Sequence, residues 1–381
     1  MWIELEEEIF HDIESIDNPY DKRVLALNSL FDSMWKCQHI VYASYSSLEK
    51  MLRHPMISAT NQKFISWIMQ KYVYVYECSE IVACKVFVTS EDIKLSKDEN
   101  GFRVSLSSFI NVRETKLLTE NESDALFFQR IFAYISQIKE LASTFDIKFE
   151  NDAFHGGNAP SKIQQAADEG RMMICITDSD RDYVGGRRGS TWEGANKKVN
   201  KLKRNHIIHL YELGVREKEN LLAPEMYLLF EENGLLSVVN REFMDSNTLL
   251  YFDIKEGVAY KRIIQPDERW NSHYGKLVER CRAYEICNEE ACSEKDVYIK
   301  GIGGSICDTV SSVLLAKDKQ EETNNMRKAS LSKEKQLLIT QEREKLLAEI
   351  PECIMQEWIR IYNLLFTWGC RLSKKALPIY E

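Results

Sequence analysis

The segment Met172-Met-Ile-Cys-Ile-Thr177 shows no polar alternation and ends in Asp178-Ser-Asp180-Arg-Asp182. A strand with one wet face alternates apolar and polar residues. A strand covered on both faces reads as a continuous apolar run, the mark of a parallel sheet under helices. The flanking sequence fits the same plan. Lys116–Thr119, Phe145–Phe149 and His206–Leu213 read as strands, and Ala125–Ile138, Pro160–Glu169 and Glu217–Phe230 as helices. Strands alternating with helices predict a mostly parallel α/β core.

Open α/β sheets bind ligands outside the carboxyl ends of their strands. Three acidic groups are expected there: Glu120-Asn-Glu122-Ser-Asp124, Asp178-Ser-Asp180-Arg-Asp182 and Glu217-Lys-Glu219. Carboxylates gathered at one edge repel unless a cation neutralises them. Hard oxygen donors suit Mg²⁺ or Mn²⁺. Each group also has an ordinary reading, as a helix cap, a first-turn acid or a surface helix residue. Two other uses of the Asp-x-Asp run fit poorly. An EF-hand needs Gly at its sixth position and Glu at its twelfth, where this chain has Tyr183 and Gly189. A haloacid-dehalogenase phosphatase would carry the motif on its first strand, whereas here a strand and helix with their own acid precede it.

These motifs resemble the Toprim domain of topoisomerases, primases and the overcoming-lysogenization-defect (OLD) nucleases, over roughly residues 114–230. Leu117-Leu-Thr-Glu120-Asn-Glu-Ser-Asp124 is similar to the family's strand-end EGxxD signature, with Asn121 in place of the usual Gly. Ile176-Thr-Asp178-Ser-Asp180 resembles its DxD, and Arg216-Glu-Lys-Glu219-Asn its REIEN region. Phe154-His-Gly-Gly-Asn158 lies where such proteins carry a Gly-rich turn. The resemblance implies metal-dependent phosphodiester chemistry. Glu120 would be a metal ligand or general acid/base, and Asp178 and Asp180 would hold Mg²⁺ (or Mn²⁺). Asp124, Asp182 and Glu219 would complete a second site, with Lys300 as the catalytic lysine. The chain has no Walker A motif. By resemblance to the PARIS-system nuclease, an ATPase would be a separate partner and the chain a toxic effector in anti-phage defence, cleaving DNA or RNA, tRNA included. The alternative is a non-catalytic docking scaffold.

Lys plus Arg total 50 and Asp plus Glu 59, a formal net charge of −9. That excludes a globally basic nucleic-acid binder. A local patch remains: Arg187, Arg188, Lys197, Lys198, Lys201, Lys203 and Arg204 with one acid, Glu193, and with Trp192 placed to stack on a base. A basic stretch beside a metal edge suits a phosphate backbone.

The 381 residues suggest two or three domains. The expected division is a helical N-terminal region with a small β element (1–112), a Toprim-like, Rossmann-like core (113–230), an α/β extension (231–315) and a C-terminal helical arm (316–381). In the first region Tyr72–Tyr76 reads as a strand, and Val86–Val88 with Phe102–Leu106 as a hairpin. In the extension, Leu249–Ile254 and Val258–Ile264 read as another. The arm, a long solvated helix and then an apolar one, could pack on the body or form a homo-oligomer. No apolar run approaches the ~20 residues of a membrane span, and the acidic start at Glu4 and Glu6 lacks a signal peptide's basic region. The expectation is a cytoplasmic protein with no membrane partner and with free thiols among its ten cysteines. Cys281, Cys287 and Cys292, with His273, are too loosely spaced for a convincing zinc site.

Overall fold

The computed structural model describes residues 1–377 except 94, 98–100, 111, 142–143, 204, 231–247, 264–267, 270, 273, 276–278 and 280–296. The cysteine cluster with His273, residues 98–100, Arg204 and Ile264 fall outside the described residues.

The first region is a second α/β layer rather than a helical one. It contains β1 (Trp2–Leu5), α1 (Lys22–Trp35), β2 (Ile40–Tyr42), α2 (Tyr45–Arg53), α3 (Ala59–Gln70), α4 (Tyr72–Tyr76), β3 (Lys85–Thr89), β4 (Ser96–Lys97) and β5 (Gly101–Ser105). The strands order β2-β1-β3-β5-β4, parallel except for β4. Asp21, Ser44 and Ser58 cap α1, α2 and α3 by accepting from backbone N–H groups of the first turn. The expected hairpin does not form. β3 and β5 run parallel, and the two-residue β4 takes the antiparallel place beside β5. Gly101 is required there, because a Cβ would lie 1.9 Å from the Lys85 carbonyl oxygen. The Tyr-Val-Tyr-Val-Tyr segment alternates like a strand but forms α4. The i,i+4 pair Tyr72 and Tyr76 meets edge to face at 4.9 Å, and both rings pack on Tyr42.

The second region contains β6 (Lys116–Thr119), α5 (Glu122–Ile138), β7 (Phe145–Ile147), β8 (Glu150–Ala153), α6 (Ala159–Asp168), β9 (Met173–Thr177), α7 (Ser190–Leu202), β10 (Ile208–Glu212) and α8 (Pro224–Leu228). Its sheet is wholly parallel in the order β8-β6-β9-β10. All five residues of β9 are buried, as the apolar run requires. α6 and α7 cover one face through a small core that includes Ile163, Ala195 and Val199. The helix expected over 217–230 breaks in two. A 3₁₀ turn spans Lys218–Leu221, and Pro224, which cannot sit inside a helix, starts α8.

Beyond these lie α9 (Thr248–Tyr251), β11 (Gly257–Ala259), α10 (Tyr260–Ile263), β12 (Val297–Lys300), α11 (Ser305–Leu314), α12 (Lys319–Lys328), α13 (Lys333–Ala348), α14 (Glu352–Gly369) and β13 (Cys370–Leu372). The second expected hairpin is also replaced. β11 pairs antiparallel with the distant β12, and helical turns flank it. The long solvated helix divides at Ser330, whose backbone is left-handed, and α13 starts on a Ser332 cap.

Of the two placements open to the arm, its apolar helix takes the one on the body. α14 is a core element. Trp358, Tyr362, Phe366 and Trp368 are at most 2% exposed. Phe132 of α5 stacks on Tyr362 at 5.0 Å and on Phe366 at 6.2 Å. Trp368 stands between Phe102 of β5 and His209 of β10. α14 therefore sits between the two sheets, and one continuous apolar core spans both. β13 then pairs with β7. Sequence periodicity shows that a helix has an apolar face but not what covers it. No helix among the described residues is long and apolar enough to cross a membrane.

Trp358 also donates from Nε1 to the Leu221 carbonyl at 2.8 Å. Trp358→Ala should cost about 3–5 kcal/mol in urea unfolding, and both regions should lose structure in one transition. A loss under about 1 kcal/mol would mean that Trp358 is not a packed core residue.

Candidate metal centre at the sheet edge

The order β8-β6-β9-β10 places its switch point between β6 and β9, where the chain reverses direction across the sheet. Crevices for ligands open at such points. Glu120 follows β6 and Asp178 follows β9, so the two acids come from adjacent strand ends.

The loop after β9 is held against the segment after β10. Ser179 Oγ donates to the Val215 carbonyl at 2.7 Å, and the Ser179 and Asp180 N–H groups donate to Arg216 O at 3.0 Å. Asp180 adopts φ +52°, a left-handed conformation that re-aims the chain. Its carboxyl packs against Gly189, where a Cβ would come within 1.9 Å. Arg216 forks between Asp182 Oδ1 (2.5 Å) and Asp253 Oδ2 (2.8 Å). Burial would lower the Arg216 pKa, but Asp253 and Asp182 more than offset it, so the guanidinium stays charged.

Behind Arg216, the buried Asn220 donates to Phe252 O at 2.7 Å and accepts from Glu217 N–H at 3.2 Å. Glu217 and Glu219 are thereby fixed facing inward, 8% and 3% exposed. The turn before them is clamped by Glu357 of α14, which accepts from Gly214 N–H and Tyr211 Oη, both at 2.8 Å. A side chain at Gly214 would collide with that carboxylate.

These acids perturb one another. The Asp178 pKa stands well above the usual carboxylate range through burial, then through Asp124, Glu219, Glu217 and Glu120. Glu120 is raised by burial and by Asp124 and Asp180, with Lys255 and Lys218 pulling it back. Asp180 is raised by burial, against Arg216 and Lys255. Glu217 is pushed to about 8, by burial and then by Glu219. Glu219 is pushed to about 7 by burial, with Lys218 opposing.

Two expected ligands are otherwise engaged. Asp124 Oδ2 accepts from Asn121 N–H at 2.9 Å, closing the start of α5, and its Oδ1 holds Lys218 Nζ at 2.7 Å. Asp182 binds Arg216. Asn121 has φ −128°, so this turn asks for no glycine. Lys300 lies exposed on β12, its backbone paired with Gly257. Besides Lys218, the lysine in the field of the acids is Lys255, which precedes β11. Burial would lower its pKa, but Glu217 and Glu219 raise it. No sequence motif marked Lys255. Only the return of 253–259 past Arg216 brings it in.

The basic patch divides. Arg188 and Trp192 stack, with the guanidinium 3.9 Å from the ring centre, and Glu212 holds Arg188 and Arg181 at 2.8 Å each. With the exposed Arg187 they line a hollow of about 390 Å³ beside the DxD loop. α7 then runs back along the sheet. At ~1.5 Å per residue, Lys201 and Lys203 lie ~15–20 Å from the acidic edge. Lys198 turns to Gln164 on α6 at 3.1 Å, while Lys197 remains exposed.

Among the described residues, no three His, Cys, Asp or Glu side chains already stand close enough to hold a metal ion. The chemistry of the donor set nevertheless fits a hard divalent cation. Glu120, Asp178, Asp180, Glu217 and Glu219 are all raised in pKa even with Lys255, Lys218 and Arg216 acting on them. No protein-family model, curated protein or solved structure matches the chain.

An acid with a raised folded pKa holds a proton that the unfolded chain releases near pH ~4.3. Its stabilising contribution is full below that value and is lost as pH rises through the folded pKa. With Glu219 near 7 and Glu217 near 8, the metal-free melting temperature should fall across that window. A Mn²⁺ ion bound there would have to displace those protons, so its stabilising shift should be larger at about pH 8.5 than at about pH 6. A shift independent of pH, or none, would contradict the site.

Proposed function

We propose that the chain is a Toprim-type, divalent-metal-dependent nuclease. The observation that carries this reading is the meeting of Glu120 and Asp178 on adjacent strand ends at the switch point, backed by Asp180, Glu217 and Glu219 with raised pKa values. Those five residues would hold Mg²⁺ or Mn²⁺. When bound, the cation would activate water and neutralise charge on the phosphoryl oxygens.

The side chains have separable tasks. Glu120 is partly exposed and its pKa is raised by burial, which suits a group that accepts and returns a proton. Lys255 places a cation beside the glutamates, where negative charge accumulates on a phosphodiester. Arg187, Arg188 and Trp192 offer a phosphate contact and a stacking face beside the acids. Lys197, Lys201 and Lys203 would guide a longer strand along α7. With no Walker A motif in the chain, ATP-dependent control would come from a separate ATPase, as the Toprim resemblance suggests for an anti-phage effector.

Purified protein should cleave plasmid DNA or total tRNA with Mg²⁺ or Mn²⁺ and not with EDTA. Asp178→Ala should abolish cleavage. Lys255→Ala should reduce it about 10–100-fold, the range for groups that support a metal site. Cleavage that persists in folded Asp178→Ala would refute the reading. Absence of cleavage with and without a co-purifying ATPase would favour a docking scaffold.

A further inference from the structure

A second cavity lies between the two sheets, at the opposite end of β9 from the carboxylates. Its volume is about 450 Å³, within the usual ~300–1,000 Å³ of small-molecule sites, which favour such boundaries. One wall is apolar: Leu95, Val104 and Phe109 from the first region face Met172 and Ile207, which immediately precede β9 and β10. The other wall carries hydrogen-bond donors, namely Arg113, Arg171, Asn205 and His206. β9 has five residues, so ~16 Å separates the two edges.

Arg171 is the informative side chain. It is 6% exposed and lines the cavity. One terminal nitrogen is spent on Glu114 O (2.8 Å) and Glu150 (2.6 Å), but its Nε is buried with no hydrogen-bond partner. A buried donor left unmade costs about 1–3 kcal/mol, and Arg171 carries that cost in the wall of the cavity. Arg113 sits exposed at the rim with no ion-pair partner among the described residues. The lining acid, Glu169, is occupied by Gln165 Nε2 at 3.0 Å and faces Lys116 at 3.9 Å.

We propose that this cleft binds an organic anion of mononucleotide size, its acidic group on Arg113 and Arg171 and its flat body between Phe109 and the Met172–Ile207 side. The proposal does not rest on the nuclease reading, since none of these residues belongs to the acidic edge.

The test is calorimetric titration of the full chain, in EDTA, with each of the four nucleoside monophosphates, with adenosine and with inorganic phosphate. At least one nucleotide should bind, and adenosine and phosphate should bind about tenfold or more weakly, because each lacks one half of the recognition. Arg113→Glu should weaken nucleotide binding about tenfold or more. Val112→Trp, which fills the cleft from its rim, should abolish it. Both variants are chosen away from the buried Arg171 pair, and their melting curves confirm folding. Asp178→Ala should bind as the parent does.

Four results would each overturn the proposal. They are no binding by any nucleotide, phosphate binding as well as the nucleotides (an adventitious ion only), unchanged binding in Val112→Trp, and binding lost in Asp178→Ala.

Discussion

Like charges crowded in a sparsely solvated site repel strongly, and the second region is organised around holding them together. Glu120, Asp178, Asp180, Glu217 and Glu219 meet at one sheet edge with raised pKa values. Left to relax, such a group would splay outward. The neighbouring bonds prevent it. Ser179 is tied to Val215, Arg216 bridges Asp182 and Asp253, and Asn220 is tied to Phe252. Most of these are made to backbone or by charged groups, the kinds that resist being pulled apart. Protons relieve the repulsion at low pH, and in the proposed reading a divalent cation would take their place at higher pH.

That restraint reaches into the core through α14. Its Glu357 is 2% exposed and takes the Gly214 N–H, so the turn carrying Glu217 and Glu219 is anchored to a helix on which both sheets rest. A buried carboxylate is costly unless its oxygens are satisfied. Glu357 meets that condition with Gly214, Tyr211 and Arg360. The aromatic ladder of Phe132, Tyr362 and Phe366, with Trp368 against Phe102, then makes the first region part of the same folding unit.

Most of the parallel core was readable because its signals are local, but the strand read at Phe145–Phe149 forms β7 and pairs with β13, while the sheet's edge strand is β8, Glu150–Ala153. An apolar run such as 173–177 has few ways to be buried, and the acids after it are adjacent in sequence to the strands that place them. The first sheet was not readable for the opposite reason. Its strands have two to five residues, too few for a period to emerge, and Tyr72–Tyr76 satisfies both a strand alternation and an i,i+4 pair. The role of α14 was hidden because an apolar helix face does not name its partner. Lys255 and Asp253 were missed because they join the site only through tertiary return of the chain. Asp124 looked like a ligand by spacing, yet the same spacing makes it the N3 residue of α5, and its carboxylate closes that helix start.

The engaged acids define the open ones. Asp182 is held by Arg216, and Asp124 by Lys218, which also binds Asp308 at 2.9 Å. Lys218 carries a raised pKa, because Asp124 and Asp308 outweigh the lowering effect of burial. It therefore stays charged and pairs with Asp124 beside Glu120 and Asp178. Asp124 thus acts on the site through its field, raising the affinity of its neighbours for protons or for a cation without offering an oxygen of its own. A single ion pair of that kind lets the edge hold a surplus of negative charge aimed at one point, which is what separates a poised site from an acidic surface.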